Sequence, residues 1–411
     1  MKKFYDIHCH AMNLSHPNLL AFVKKINIRL LLMTTPLIST LIECLGKDKK
    51  IKNLLTMMEN DLGDFFLIVE YYLRKNGLVK GNVVSFGNRS YQKIVLTPLM
   101  MDFGYMNITS DTFYQIPAQK PIVEQVTDLF NAIKKYMQFD LSVQVKPNNK
   151  ITCGYIPTTK ESKLFEIYPF LGLNTANYTL TEMKDQLLNK YFSEYDPNQS
   201  KFYDAMGNFD GNINNLKGNC FAGIKVYPPL GFDPWPKSSE ELEKAECLYS
   251  FCCDHNIPIT THCSDGGYAV AEKPKELTNP AKWRCVLKKY ENLKLNLAHM
   301  GKQGKIMWLI PRTEWRDTVL QLVNEYKSVY TDFSCAAFND EYYKSLKKLL
   351  SEQPNNQHVR ERVLFGTDFM INLLWANSYN DYLENFFKTE HFNNNEKELF
   401  CSDNPERFLF H

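Results

Sequence analysis

The sequence predicts an α/β fold of the (β/α)8 barrel (TIM barrel) class, in which eight parallel strands alternate with helices. The first observation is a regular series of short apolar runs in the second half of the chain. These runs end near Lys225, His262, His299, Asp332 and Asp368. The intervals between them are 37, 37, 33 and 36 residues. A strand, a crossover helix and the next strand need about this much chain, so the series indicates consecutive parallel βαβ units.

The second observation is that helix-like segments lie between the apolar runs. The predicted helices are Glu240–His255, Pro280–Tyr290, Thr313–Lys327 and Asp340–Leu350. The predicted strands, in chain order, are Tyr5–His10, Ile94–Leu99, Leu164–Leu171, Gly223–Val226, Ile257–His262, Leu293–His299, Ser328–Phe333 and Arg362–Asp368. Eight such strands suit a closed barrel. An open doubly wound sheet is the alternative, and the lack of a G-x-G-x-x-G turn after any strand weakens its dinucleotide-binding version.

The first half of the chain is expanded by an insertion at about residues 14–90. Within it, Ile51–Leu73 shows apolar residues at helical spacing and is predicted as one long amphipathic helix. An inserted helical pair that packs on the barrel is the simplest interpretation, and a lid over the site or an oligomer interface is the alternative. Residues 195–219 are rich in Asn, Asp and Gly and are predicted as a loop. The whole chain, 1–411, is predicted as a single domain.

Composition narrows the class of protein. The 48 basic and 46 acidic side chains give a net charge of +2, which provides no reason to expect nucleic acid or an anionic membrane as a partner. Eleven scattered cysteines without a C-x-x-C pair are typical of a reducing compartment. No apolar signal core precedes the first strand, and the most apolar stretch, Ile28–Ile42, is too short for a membrane span. We therefore expect a cytoplasmic protein with a small-molecule substrate, and homo-oligomerisation stays open.

Four histidines and one aspartate are expected to meet at one end of the barrel. His8 and His10 lie two residues apart in a strand, so their side chains point the same way. His262, His299 and Asp368 each close an apolar strand, and a barrel brings these carboxyl-terminal strand ends together. A purely structural role would bury four imidazoles and a carboxylate together, which is costly unless each is hydrogen-bonded. The pattern instead predicts a site for a divalent metal, with zinc the favoured ion.

Lys225 lies at the end of the fourth strand among apolar residues. Burial would lower its pKa and leave a neutral amine that can react. One hypothesis is that this amine captures CO₂ and, as a carbamate, bridges two metal ions. A second is that it remains an ammonium that holds a substrate carboxylate, and a third is a lysine that extends to the barrel rim.

These motifs, in this order, resemble the amidohydrolase superfamily, and more narrowly its branch of amidohydrolase-related hydrolases and decarboxylases. The matching segments are Asp6–His10, Gly223–Gly231, Thr261–Ser264, Asn296–Gly301, Tyr330–Ser334, Leu364–Phe369 and Asn404–Phe410. The resemblance implies that His8, His10 and Asp368 hold the first metal. It further implies that His262 binds that metal or a second one beside Lys225, and that His299 ligates the second metal or polarises the substrate.

The chemistry expected of such a site is hydrolysis. A bound ion lowers the pKa of its water from 15.7 toward ~7 and polarises a carbonyl oxygen, and the resemblance assigns the proton transfer to Asp368. The first hypothesis is therefore hydrolysis of an amide, lactone or ester bond, with one or two metal ions per chain. The presence of Lys225 favours hydrolysis over the second hypothesis. Non-oxidative decarboxylation of a small carboxylic acid is the second. A non-catalytic binding barrel, which would be expected to lack a ligand, is the third.

The substrate itself is not readable from the sequence. Loops that follow the strands should line the pocket, which nominates Tyr227, Asp102, Asp265 and Lys302 as substrate-binding residues. Tyr227 is the strongest of these, because it lies two residues past Lys225 and shares its face of the strand.

Overall fold

The computed structural model describes residues 1–17, 49–86, 88–104, 120–147, 151–198, 201–202, 212–216, 218–268, 274–304 and 311–411. Fourteen strands lie in these ranges. They are β1 (Phe4–Cys9), β2 (Val79–Lys80), β3 (Val83–Phe86), β4 (Arg89–Tyr91), β5 (Ile94–Pro98), β6 (Phe139–Val145), β7 (Ile151–Pro157), β8 (Phe165–Ile167), β9 (Phe170–Gly172), β10 (Gly223–Val226), β11 (Ile259–Thr261), β12 (Leu295–Leu297), β13 (Val329–Asp332) and β14 (Val363–Leu364).

The α-helices of the described ranges lie mainly between the strands. They are α1 (Lys49–Glu59), α2 (Leu62–Lys75), α3 (Ile122–Gln138), α4 (Leu180–Glu182), α5 (Asn189–Phe192), α6 (Ser239–His255), α7 (Pro274–Leu277), α8 (Trp283–Lys289), α9 (Glu314–Glu325), α10 (Asp340–Ser351), α11 (Asn356–Arg360), α12 (Tyr379–Lys388), α13 (Asn394–Glu398) and α14 (Asn404–Phe410). Two π-helical segments, Met183–Leu188 and Leu399–Asp403, join α4 to α5 and α13 to α14. None of the helices that the structure describes is long and apolar enough to cross a membrane.

Two parallel sheets form the centre of the fold. One has the strand order β1-β5-β8, and the other runs β9-β10-β11-β12-β13-β14. Backbone contacts also link the two sheets at two places. Cys9 pairs in parallel with Phe369, just beyond β14, and Leu99 pairs with Phe170 of β9. The amide of Ile7 donates a 3.2 Å hydrogen bond to the carbonyl of Phe365. The predicted α/β class, with parallel strands in sequence order, is confirmed.

The third predicted strand, Leu164–Leu171, is two strands in the structure. β8 pairs with β5, and β9 pairs with β10. The break falls at Tyr168 and Pro169. Proline has no backbone N–H to donate to a neighbouring strand, so it interrupts the hydrogen-bonding ladder.

The predicted helices of the second half are confirmed with one adjustment. α6, α9 and α10 match the predicted segments, and Asn256 ends α6 in the left-handed conformation (φ 58°). The predicted helix Pro280–Tyr290 is a 3₁₀ turn, Pro280–Lys282, followed by α8. Asn279 caps that turn by accepting from the amide of Ala281.

The long helix predicted at Ile51–Leu73 is wrong, because two helices, α1 and α2, occupy this stretch. Asp61 causes the break: its side chain accepts a 2.7 Å hydrogen bond from the amide of Gly63 and so caps a new helix. α2 packs on α3 with Phe66 fully buried. Residues 18–48 of the predicted insertion lie outside the described residues.

Two antiparallel elements of the first half were not expected. β2, β3 and β4 form a three-stranded sheet, and β6 pairs with β7 as a hairpin. Only part of the predicted loop at 195–219 is described, and it includes a short 3₁₀ turn, Ile213–Asn215. The two parallel sheets therefore keep the predicted strand order, whereas the segments inserted between their strands contain more β-structure than the sequence indicates.

Candidate metal centre

The Nε2 atoms of His8 and His10 point to the same place near the end of β1. The Nδ1 atom of His8 lies 3.0 Å from Asp332 Oδ2, and that of His10 lies 2.8 Å from the carbonyl oxygen of Leu99. A carbonyl oxygen and an ionised carboxylate can only accept hydrogen bonds. With Asp332 ionised, both Nδ1 atoms therefore carry the ring proton. The two Nε2 atoms are left with lone pairs. They lie 3.4 Å (His8) and 3.1 Å (His10) from Asp368 Oδ1.

Asp368 is buried and ionised at this point. Burial would raise the pKa of its carboxyl group, but the contact with His10 and the neighbouring imidazoles of His299 and His8 together hold it well below its ordinary value. Burial also lowers the pKa of His10, which keeps that ring neutral. Three lone-pair-bearing atoms thus converge, and His8 Nε2 has no hydrogen-bond partner within the part of the chain that the structure describes. A cation bound between these three atoms would offset the repulsion between their lone pairs, so the three residues fit a divalent metal.

His262 and His299 form a second pair with facing nitrogens. His299 Nδ1 lies 3.2 Å from the carbonyl oxygen of Ser334, and His262 Nε2 lies 3.2 Å from that of Gly266. A carbonyl only accepts, so these nitrogens are the donors. The opposite nitrogens, His299 Nε2 and His262 Nδ1, face one another at 3.1 Å. Burial lowers the pKa of His299 to about 3, so its ring is neutral and its Nε2 lone pair faces the other ring. This arrangement also suits a cation.

Two groups of three side chains among the described residues have ligand atoms close enough to hold one ion. They are His8, His10 and Asp368, and His8, His299 and Asp332. The first group fits better, because its nitrogens and oxygen point at a common space. In the second, the carboxylate of Asp332 already accepts from His8 Nδ1 and from Asn296 Nδ2, at 3.0 and 2.8 Å.

Lys225 lies beneath these ligands in β10. Its side chain is 1% exposed, and Nζ has no hydrogen-bond partner among the described residues. The ammonium lies 5.7 Å from the ring centre of Tyr227. Burial lowers the pKa of Lys225 to about 8, against the opposing influence of Asp332 and Asp368. A buried amine with this pKa has a substantial neutral fraction near pH 8.

A cavity of about 270 Å³ opens on the histidines. His10, His262, His299 and Asp368 contribute to its wall. Further lining residues are Met101, Tyr227, Ser264, Asp265, Gly266, Gly267, Tyr268, Lys302, Gln303, Gly304, Cys335, Ile371 and Trp375. The candidate ligands therefore face a space that can admit a small molecule.

Three of the four predicted substrate-binding residues line this cavity. Tyr227 accepts a 2.9 Å hydrogen bond from the amide of Tyr268, and so ties down the loop after β11. Asp265 accepts from the amide of Gly304 at 2.8 Å. Lys302 donates to the carbonyl of Cys335 at 2.7 Å.

Asp102, the fourth, is not among the described residues that line the cavity. Its carboxylate accepts from the amide of Asn174 at 3.0 Å and from the hydroxyl of Tyr178 at 2.9 Å. Burial raises the pKa of Asp102 to about 6, and these hydrogen bonds oppose the shift. The structure therefore gives Asp102 contacts that hold the loop after β5 to residues 174–178.

Sequence reasoning missed the residues that contact the ligands from behind. Asp332 ends β13 at the same interval as the candidate ligands, yet its position at a strand end does not by itself indicate a contact with them. Ser334 lies 2.9 Å from His299 Nδ1 and 3.2 Å from His8 Nδ1, both measured from its Oγ. Asn296, inside β12, donates to Asp332. The position of Asp332 at a strand end could have indicated that it lies near the site. Nothing in the sequence distinguishes Ser334 or Asn296 from other polar residues of the chain.

Comparison with known proteins relates the second half of the chain to a family. Residues 214–410 match the family model described as Amidohydrolase. That stretch contains Lys225, His262, His299 and Asp368, whereas His8 and His10 precede it. The second half of the chain is thus similar to this family.

No curated protein matches the chain. Among solved structures, one described as an amidohydrolase II is 12% identical over 100% of both chains, with a TM-score of 0.46. A probable 2-pyrone-4,6-dicarboxylic acid hydrolase from Acinetobacter baumannii, with citric acid bound, is 12% identical over 83% of this chain and 86% of its own, with a TM-score of 0.39. An amidohydrolase from Mycobacterium avium subsp. paratuberculosis is 10% identical over 78% and 71%, with a TM-score of 0.33. These likenesses are too distant to inform the function of this chain.

Proposed function

We propose that this protein is a metal-dependent hydrolase that uses water to cleave an amide, lactone or ester bond of a small molecule. The observation that carries the proposal is the convergence of His8 Nε2, His10 Nε2 and Asp368 Oδ1 at the edge of a cavity. The family match supports the same class of enzyme. The proposal includes a cytoplasmic location and no nucleic acid or membrane partner, and assembly into a homo-oligomer stays open.

The proposed architecture is a single domain built on one closed (β/α)8 barrel. The backbone contacts between Cys9 and Phe369 and between Leu99 and Phe170 support it, because they join the two parallel sheets at two separate places. In such a barrel the carboxyl-terminal strand ends form the active site. The candidate ligands lie at those ends.

The proposed cofactor is one or two divalent ions, and zinc is the favoured metal. Neutral imidazoles with one carboxylate are a ligand set that suits zinc. His8, His10 and Asp368 would hold the first ion, and His262 and His299 would hold a second or would share a single one. When bound, such an ion acidifies water and polarises a substrate carbonyl oxygen.

The protein's own groups have distinct proposed roles. Asp368 is ionised and lines the cavity, so it can accept a proton from the attacking water and return it to the leaving group. His299 could polarise a substrate carbonyl only with a proton on Nε2; with its proton on Nδ1, next to the carbonyl of Ser334, it is better suited to bind an ion. Tyr227, Asp265 and Lys302 would contact the substrate from the cavity wall. Asp102 is instead proposed to hold the loop after β5 in place through its contacts with residues 174–178.

Lys225 has two proposed roles that lead to different products. As a carbamate it would bridge two ions and favour hydrolysis. As an ammonium it would hold a substrate carboxylate. Its Nζ is buried and has no hydrogen-bond partner among the residues described, which favours this second candidate function, non-oxidative decarboxylation around a single ion. A non-catalytic binding barrel is disfavoured, because all of the expected ligand residues are present.

The test is turnover by the metal-loaded protein on a panel of amides, lactones, esters and small carboxylic acids, with and without Asp368→Asn. We expect hydrolysis by the unaltered protein and loss of at least about 100-fold in the variant, since general acid–base catalysis contributes about that much or more. Asp254→Asn, which alters an exposed carboxylate on α6, is the matched control and should keep full activity. Retained activity in Asp368→Asn would remove Asp368 as the base, and CO₂ release would favour the decarboxylase.

A further inference from the structure

We propose that Asp332 is a positioning residue that fixes the tautomer and orientation of two metal-binding histidines, His8 and His299. This inference rests on the metal centre proposed above and concerns what makes that centre bind. Asp332 ends β13, and its side chain is fully buried. Its carboxylate lies behind the histidines, on the side away from the facing nitrogens.

The first link runs to His8. Asp332 Oδ2 lies 3.0 Å from His8 Nδ1 and accepts a 2.8 Å hydrogen bond from Asn296 Nδ2. A carboxylate has no proton to give, so it holds His8 in the tautomer with the proton on Nδ1. That tautomer leaves the lone pair on Nε2, the atom that lies 3.4 Å from Asp368. A metal ligand needs this lone pair.

The second link runs to His299 by two routes. Asp332 Oδ1 accepts a 3.0 Å hydrogen bond from the backbone amide of His299. This bond restrains a residue whose φ of 61° is in the left-handed region, which residues with a Cβ rarely adopt. Asp332 Oδ1 also accepts from the hydroxyl of Ser334. With its proton given to Asp332, that hydroxyl can only accept from His299 Nδ1 at 2.9 Å, so His299 Nε2 keeps its lone pair.

Direct coordination by Asp332 is a weaker explanation of the same geometry. Five donors already point at its two oxygens, namely His8 Nδ1, Asn296 Nδ2, the amides of His299 and Ser334, and the Ser334 hydroxyl. A carboxylate offers about four lone-pair positions, so this set leaves no room for an ion. One buried carboxylate therefore orients both halves of the ligand set.

The test compares the unaltered protein with Asp332→Asn. An amide of the same shape places an N–H group against His8 Nδ1, and the ring must then carry its proton on Nε2. We expect Co²⁺ affinity, measured by competition with a chelator, to fall about 10- to 100-fold, as for other residues that orient metal ligands. Nitrogen-15 spectra of the metal-free, histidine-labelled protein should show the His8 proton moving from Nδ1 to Nε2.

Thr331→Val is the matched control. Thr331 is equally buried on the same strand, and its hydroxyl donates to the carbonyl of Leu297 instead of contacting a histidine. We expect this variant to lose some stability but to keep both the tautomer and the metal affinity. If Asp332→Asn does not fold, Ser334→Ala removes the route through the hydroxyl alone and should weaken Co²⁺ binding without changing the His8 tautomer.

The outcomes separate this inference from the proposed function. Unchanged Co²⁺ affinity and an unchanged His8 tautomer in Asp332→Asn would overturn the positioning role, whatever the enzyme hydrolyses. Weaker binding in Thr331→Val equal to that in Asp332→Asn would also overturn it, because a general loss of packing would then explain both. Metal binding that depends on Asp332 in a protein that hydrolyses nothing would uphold the inference and contradict the proposed reaction.

Discussion

Replacing Lys225 with methionine should stabilise the metal-free protein near neutral pH. The ammonium is buried and has no hydrogen-bond partner among the described residues, so the folded state disfavours its charged form. Methionine has a similar length and no charge, and therefore fills the same space. The expected gain comes from the shift of the Lys225 pKa from 10.5 to about 8. At about 1.4 kcal/mol per unit, the shift corresponds to ~3 kcal/mol.

The dependence on pH follows from the direction of that shift. The pKa of Lys225 is lower in the folded than in the unfolded protein, so between about pH 8 and 10.5 the unfolded chain binds more protons. Stability contributed by this group therefore rises with pH across that window. The destabilisation is fully present below about pH 8, and the advantage of Lys225→Met should disappear by about pH 10.5.

The assay is chemical denaturation of the metal-free protein in CO₂-free buffer, at several values between pH 7 and 10.5. Other groups titrate in the same range, so the quantity of interest is the difference in unfolding free energy between variant and unaltered protein. We expect a difference of ~3 kcal/mol at pH 7 that shrinks with rising pH. A variant that is less stable at pH 7, or a difference that does not change with pH, would refute the reasoning.

Three further outcomes follow from the same contacts. In the metal-loaded protein, Lys225→Met should lower the number of ions per chain if a carbamate bridges two of them, and an unchanged count would assign Lys225 to substrate binding or structure. Asp102→Ala should cost about 2–5 kcal/mol in unfolding free energy, because the amide of Asn174 and the hydroxyl of Tyr178 lose their buried acceptor; a cost below 1 kcal/mol would contradict this. Tyr227→Phe should raise KM more than it lowers kcat, because it releases the loop at Tyr268, and the reverse split would place the Tyr227 hydroxyl in the chemical step.

The sequence alone was sufficient to predict which residues meet at the candidate metal centre. His262, His299 and Asp368 close apolar runs at regular intervals, and parallel strands bring such ends together. The structure places all three against the cavity with His10. Strand order is readable in this way because it depends on spacing and on hydrophobic pattern, which are local properties of the chain.

Contacts between segments that are distant in the chain could not be predicted from the sequence. Asp102 was nominated for the substrate because it follows a strand, but its partners, Asn174 and Tyr178, are more than 70 residues away in the chain. The role proposed for Asp332 depends likewise on hydrogen bonds that cross from β13 to the ends of other strands. The break at Asp61 was missed for a different reason. The apolar period continues across it, and only the capping hydrogen bond shows that a new helix begins.

The most direct test of the central claim is the divalent metal content of the purified, unchelated protein, determined by elemental analysis per chain. We expect one or two zinc, manganese or similar ions, which a chelator removes and added metal restores. About two ions would support a bridged centre and hydrolysis, whereas about one would leave Lys225 free and strengthen the decarboxylase. A protein that contains no metal and takes up none when metal is added would contradict the claim that His8, His10 and Asp368 form a metal centre.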